Sequence, residues 1–306
     1  MKEDDQKLFR FLWKGPGDEV VRVFEMLKVT WGATPSSFLL AATLRHHFKS
    51  VATGVDDNVG EFFYHDDFLR SFPDVESALH STKQLTDWLL AANMSLGKWK
   101  TNAPQVAEQL KDLGMTASPL DSGPAFLKVL GILWCPNRDT LQVLMSRLSD
   151  RFSSANQVTK RVLLGLVASV FDPLGWLSPF VLRGKLLIQR IWATEIRWDD
   201  PVDSDICQQL ESWCREAQDL NDIAIGRMYG KRDRGVVSRK LHIFGDASER
   251  AYAAVAYLEH FYENETRTVS LVMAKTKLAP LSKLILPRLE LLAALLVARL
   301  RSTLEN

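Results

Sequence analysis

The chain has 306 residues, 46% of them hydrophobic, with 38 Lys and Arg against 37 Asp and Glu, so its net charge is +1. This length and composition suit two or three soluble domains, and the balanced charge excludes a uniformly basic nucleic-acid coat while leaving room for local basic strips. Three cysteines (Cys135, Cys207, Cys214) form no CxxC pair, the start MKEDDQKLFR lacks the apolar core of a signal peptide, and the longest apolar run, Leu291 to Ala298, is too short for a membrane span, so an intracellular, reducing setting with no membrane partner is expected.

In chain order, LFRFLW and VRVFEMLKV read as strands separated by the turn residues Gly15, Pro16 and Gly17. SSFLLAATLRHHF is apolar at helical spacing, with Pro35 and Ser36 at its start. EFFYHDDFLRSF has two apolar arms around an acidic centre, the pattern of a tight hairpin. DVESALHSTKQLTDWLLAAN, with Val75, Leu79, Leu85, Leu89 and Leu90, predicts a long amphipathic helix ending at Asn93. SLGKWK and FLKVLGILW are strand candidates. Residues from about 141 to 198 are mostly helical in pattern, with a break at FDPLG (residues 171–175).

Charge then swings. Residues 147–190 hold seven Lys and Arg against two Asp, residues 195–223 nine acids against two Arg, and residues 224–240 six bases against one acid. Such blocks are expected to be solvated faces or connectors, although a basic helical strip also suits a phosphate backbone. From Lys240 three strands follow, LHIFGDAS, AYAAVAYLE and TVSLVMAKTKL, and then a helix, PRLELLAALLVARL, expected to pack through Leu289, Leu292 and Leu296.

Four Asp-Asp pairs occur, at 4–5, 56–57, 66–67 and 199–200. Only Asp66 and Asp67 are flanked on both sides by apolar arms, Phe62, Phe63 and Tyr64 before and Phe68 and Leu69 after. Two carboxylates at a hairpin tip can share divalent cations, the arrangement of two-metal phosphoryl transfer. The adjacent His46 and His47 point apart on a helix and suit a surface better than a metal site. Asp121, Ser122 and Gly123 spell the tripeptide of aspartic proteases, but prolines on both sides read as a linker.

Tyr64, His65, Asp66 and Asp67 resemble the Y-x-D-D signature of reverse transcriptases. Upstream, WGATPSSF (with Gly32 and Ser36) resembles that family's motif opening a helix beside the incoming nucleotide. Downstream, LGKWKTN (with Lys98 and Trp99) and LGI (with Gly131) resemble the palm strands that border the primer. TKRVLLGLVASVFDPLGWLSPFVLRGKLLIQRIW, the following WDDP and the strands and helix after Lys240 resemble a region of BEL/Pao retrotransposon polyproteins. Together the motifs cover essentially the whole chain.

The resemblance implies an α+β and α/β architecture: a partial reverse-transcriptase palm at 1–135, a helical thumb-like region at 136–200, a connector at 201–238 and a truncated RNase H-like mixed sheet with one helix at 239–306. It implies Asp66 and Asp67 as polymerase carboxylates and Asp246 and Glu290, the latter in the first helical turn, as the first two RNase H carboxylates, with Mg2+ as the metal. Tyr64, His65, Gly32, Ser36, Lys98, Trp99 and Gly131 would contact substrate. The implied partners are an RNA template, a DNA primer, an RNA–DNA hybrid and a dNTP.

Two positions depart from the family. His65 stands where a small or branched apolar residue is usual, and Pro35-Ser36-Ser37 stands where Ser-Ser-Pro is expected. The third palm aspartate is expected on a strand before Lys2 and the third RNase H aspartate on a strand beyond Asn306. The chain is therefore expected to polymerise no DNA and cleave no hybrid by itself, with one sheet edge unpaired; the alternative is a nucleic-acid binder without chemistry.

Overall fold

The computed structural model describes the chain apart from residues 1, 31, 52–57, 116, 119–125, 146, 231–234 and 306. The second acidic pair, Trp31 and the Asp121-Ser122-Gly123 tripeptide lie outside the described residues. Backbone contacts divide the chain into two units, Met1–Pro119 and Leu120–Asn306. Among the described residues no helix is long and apolar enough to cross a membrane.

The first unit begins with α1 (Glu3–Gln6) and an antiparallel ribbon of β1 (Arg10–Trp13) and β2 (Arg22–Glu25). Next come α2 (Ser36–Val51), the short strands β3 (Phe63–Tyr64) and β4 (Asp67–Phe68), and α3 (Val75–Ala91). It closes with β5 (Trp99–Lys100), α4 (Pro104–Asp112) and β6 (Ala117–Ser118), β5 and β6 pairing in parallel. The start of α3 is fixed by the Asp74 side chain, which accepts from the Ser77 N–H at 2.7 Å. Its end is fixed by Asn93 at φ 55°, after which the Met94 N–H donates back to the Leu89 carbonyl. Leu85 and Leu89 of α3 meet Leu44 and Phe48 of α2 in one apolar cluster. Leu79 meets Val106 and Leu110 of α4 in another.

The second unit opens with a meander of β7 (Leu127–Val129), β8 (Ile132–Cys135) and β9 (Thr140–Gln142). FLKVLGILW is thus a hairpin rather than one strand, because Leu130 (φ 46°) and Gly131 (φ 89°) both take the left-handed backbone that a two-residue turn demands. Then come α5 (Arg147–Ser153), α6 (Lys160–Ala168), α7 (Ser178–Trp192), α8 (Ser204–Glu216) and β10 (Ile225–Gly226). β10 pairs antiparallel with β9, giving a sheet ordered β10-β9-β8-β7. The unit ends with three long antiparallel strands, β11 (Val236–Ala247), β12 (Ala251–Tyr262) and β13 (Arg267–Leu278), and α9 (Leu286–Glu305).

The acidic stretch expected to be a solvated connector contains α8, which buries Ile206, Leu210, Trp213 and Cys214 on one face. The Trp213 ring stacks on Phe180 at 4.6 Å, and its indole N–H donates to the Phe180 carbonyl at 2.9 Å. Burying this indole against α7 is what holds α8 in the core. Two acids of α8, Asp205 and Glu216, pair with the basic side of α7, while Glu211 pairs with Arg215 of α8 itself. Arg183 forms a two-pronged pair with Glu216, and Arg190 binds Asp205 at 2.6 Å. At these positions the basic strip of α7 is met by protein carboxylates rather than left open to a phosphate backbone.

The break at residues 171–177 is a staple between the helices and β13. Asp172 caps it, accepting from the N–H groups of Trp176 and Leu177 at 2.9 and 2.7 Å. The Leu174 carbonyl accepts from the Ala274 N–H at 2.8 Å, and the Trp176 indole donates to the Val272 carbonyl at 3.3 Å. Gly175, at φ 72°, lies so close to the strand that a Cβ there would fall 2.0 Å from the Ala274 carbonyl oxygen. Only glycine satisfies both the backbone angle and the approach.

α9 lies across one face of the three-stranded sheet. Leu289, Ala293, Leu296 and Leu300 are buried, spacings of four, three and four that keep one stripe inward. Ala293 takes the place expected for Leu292, which is only half-buried. A small residue is needed there because the helix passes directly over Gly245, whose missing Cβ would lie 3.3 Å from the Ala293 carbonyl oxygen and 2.5 Å from Val297 Cγ2. The outer edge of β11 has no strand partner among the described residues.

Candidate functional site

The first acidic centre is built on the β3–β4 hairpin. Phe63 and Phe68 are register partners with rings 5.1 Å apart, and Phe63 reaches Phe48 of α2 at 5.8 Å. Trp99 of β5 meets Phe68 edge-on at 6.3 Å and packs into the same cluster. These apolar anchors hold the Tyr64–Asp67 register pair, leaving His65 and Asp66 as a two-residue loop. Asp66 and Asp67 are exposed, and their carboxylates make no hydrogen bond or ion pair among the described residues. His65 sits at φ 56°, and its ring packs edge-on against Tyr64 at 4.7 Å. A non-glycine residue in this region carries local strain, held here by the packing of half-buried Phe63 and Phe68.

The other candidates of the first unit surround this hairpin in sequence but not all in contact. Ser36 opens α2, and its hydroxyl donates to the Thr30 carbonyl. Gly32 provides a left-handed turn (φ 85°) before that helix. Lys98 is exposed at φ 60°, immediately before Trp99, whose buried indole N–H has no partner among the described residues. Gly131 belongs to the second unit, where its turn abuts the Phe171 ring; a Cβ there would approach that ring to 2.5 Å.

The second acidic centre is in the β11–β12–β13 unit. Asp246 stands opposite Ala253 near the end of β11, exposed, just before the turn in which the Ser248 N–H donates to the Ala251 carbonyl. Glu290 is exposed on α9. The helix begins at Leu286, ahead of Pro287, so Glu290 falls at the start of the second turn rather than in the first. The contact at Gly245 fixes the relation between the two. Ala293 rides on Gly245, Asp246 is the next residue of the strand, and Glu290 is one helical turn before Ala293. Strand and helix thus bring one carboxylate each to the same end of the sheet, Asp246 from the face opposite α9 and Glu290 from the helix. Sequence reasoning named both acids but not Gly245, although a glycine directly before a strand-end aspartate is the available signal for close backbone approach.

At both centres the donors are carboxylate oxygens, hard ligands that suit Mg2+, which is commonly held by one or two carboxylates and completes its shell with water and phosphate oxygens. No cluster of three or more His, Cys, Asp or Glu suited to a metal ion occurs among the described residues.

Three long antiparallel strands, a helix packed across them and acids from strand and helix at one end describe an RNase H-like α+β unit. Residues 159–306 match the family model of the Pao retrotransposon-like RNaseH-like domain. The match supports a Pao retrotransposon RNase H region across those residues, including the helices α6 to α8 and the staple that binds them to β13. No curated protein matches the chain.

Proposed function

We propose that the chain is a polymerase and RNase H segment of a retroelement, whose second unit engages an RNA–DNA hybrid at the Asp246 and Glu290 end of the sheet. The observation that carries this reading is the close passage of α9 over Gly245, which sets Glu290 a turn away from the strand that bears Asp246. Mg2+, when bound there, would supply electrostatic stabilisation of a phosphate undergoing displacement. Asp246 and Glu290 would hold it and orient the hybrid backbone, while the β11 strand fixes one donor and α9 the other.

The first unit fits descent from a reverse-transcriptase palm. Its support is the apolar anchoring of an exposed Asp66 and Asp67 beside Tyr64, with Gly32 and Ser36 opening a helix upstream and Lys98 and Trp99 following downstream. Template RNA, primer DNA and a dNTP are the corresponding partners. By itself the chain is proposed to be inactive in both reactions, because each centre offers two carboxylates to a two-metal reaction and His65 places a bulky polar ring beside the tip. Primer extension on an RNA template and cleavage of a labelled hybrid, each in Mg2+ with the full chain, test this. No extension and no cleavage are expected, with hybrid binding that strengthens in Mg2+ and weakens in Asp246→Asn. Extension abolished by Asp66→Asn, or cleavage abolished by Glu290→Gln, would overturn the proposal of inactivity.

A further inference from the structure

We propose that the β11–β12 part of the sheet face turned away from α9 is a stacking platform for single-stranded nucleic acid. This rests on the reading of the second unit as a nucleic-acid domain and adds a second surface to it. Side chains alternate along a strand. Ile243 and Gly245 face α9, so Lys240, His242, Phe244 and Asp246 lie on the other face. On β12 the matching positions are Tyr257, Glu259 and Phe261.

On its β11–β12 part this face carries aromatic rings in contact, with Phe244 open and Tyr257 and Phe261 half-buried, while on β13 Leu271 packs against the helical core. Phe244 is 59% exposed, although it sits mid-strand in a unit with a large core. Its ring is parallel to that of His242 (7°, centroids 6.5 Å apart) and meets Tyr257 at 6.3 Å. Lys240 places its ammonium 4.9 Å from the centre of the Phe261 ring. Planar rings beside cations are what base faces and phosphates require together, and stacking is tolerant of base identity.

The one acid inside the patch is already matched. Glu259 is nearly buried and accepts from His242 Nε2 at 2.8 Å, with Arg267 Nη1 at 3.5 Å on its other oxygen. The hydrogen bond from His242, together with that from Arg267, holds its carboxyl below the usual range. Glu259 therefore orients the His242 ring and offsets Arg267 without presenting an open charge to a phosphate. Lys240 and Arg267 mark one end of the face and Asp246 the other. A strand lying along it would run its phosphates past the two cations and lay bases on Phe244 and Tyr257. An apolar protein partner would gain little from a patch flanked by Lys240 and Arg267, whereas a polyanion with planar rings complements both features.

The test uses the full chain and a short fluorescein-labelled oligothymidylate, read by anisotropy in EDTA so that divalent cations play no part. Phe244→Ala is expected to weaken binding about tenfold or more, and Phe244→Trp to keep it. Lys240→Ala is expected to weaken binding and lower the salt dependence by about one phosphate contact. Leu291→Ala, exposed on α9, is the control that changes nothing. Thermal melting checks that Phe244→Ala stays folded. Unchanged oligothymidylate affinity in folded Phe244→Ala would overturn the inference. So would loss of self-association in that variant without loss of affinity, which would make the face a contact between copies. Loss of Mg2+-dependent hybrid binding in Asp246→Asn is a separate readout; its failure would count against the proposed function and leave the platform standing.

Discussion

Gly175→Ala is the sharpest perturbation of the second unit. Alanine at φ 72° costs about 1–2 kcal/mol over glycine. The new Cβ would lie 2.0 Å from the Ala274 carbonyl oxygen and 2.7 Å from its carbon, backbone atoms that cannot swing away. The staple must withdraw, breaking the bond from Ala274 N–H to the Leu174 carbonyl and that from the Trp176 indole to the Val272 carbonyl. Two such bonds contribute about 1 kcal/mol each. The total is roughly 3–4 kcal/mol, or a fall in Tm of roughly 6–16 °C for a unit of this size. Thermal unfolding of the full chain, followed by tryptophan fluorescence, measures it, with the emission of buried Trp176 moving red. Gly17→Ala is the control, since Gly17 has φ 89° and nothing within 4 Å of its missing Cβ, so only the backbone cost applies. A Gly175→Ala stability within about 1 kcal/mol of the parent, outside the range for such overlap, would refute a docked staple.

Other outcomes follow from the same contacts. Gly245→Ala drives a methyl into Val297 Cγ2 and is expected to cost about 1–3 kcal/mol, partly restored by adding Val297→Ala; chemical denaturation of the two variants checks the rescue. Trp213→Ala, which removes a buried ring stacked on Phe180 and its bond to the Phe180 carbonyl, is expected to cost about 3–5 kcal/mol in the same assay. His260 is buried, and desolvation lowers its pKa in the folded chain. The unfolded chain then binds the proton more readily, so stability should fall as pH drops below about 6.5 toward the lower folded value; melts across that window should show a slope that His260→Gln reduces. Glu216 and Glu259 have lowered pKa values from their bonds to Arg183 and His242, so their contribution is present above the unfolded carboxylate value, about 4.3, and is lost as pH falls further.

The acidic hairpin was legible in the sequence because apolar arms flanking two aspartates leave few other local structures. The three strands and helix after residue 236 were legible because long apolar-rich runs bounded by turn residues, and then a 3.6-residue apolar stripe, outweigh the bulges at Ser238 and at Met273–Leu271. The helix contact was misplaced by one residue, Leu292 for Ala293, because apolar periodicity favours the larger side chain whereas close passage over Gly245 demands a small one. The core role of α8 was hidden by its acids. Charge counts average over a helix, and only the spacing of Ile206, Leu210 and Trp213 shows the inward stripe. The pairing of β10 with β9 joins two residues to a strand more than eighty positions earlier, and no local pattern carries such a pairing. At the candidate sites, residue type named Asp246 and Glu290, but the passage of α9 over Gly245 depends on glycine geometry that composition does not reveal.

Whether Asp246 and Glu290 share one cation is decided most directly by Mn2+ titration of the isotope-labelled full chain, read as paramagnetic broadening of backbone amide signals. Amides around Gly245–Ala247 and Leu289–Leu291 are expected to broaden together at the lowest Mn2+ additions, and Asp246→Asn and Glu290→Gln are each expected to abolish both effects. Broadening confined to one of the two segments, or surviving in either variant, would contradict a shared site at the end of the sheet.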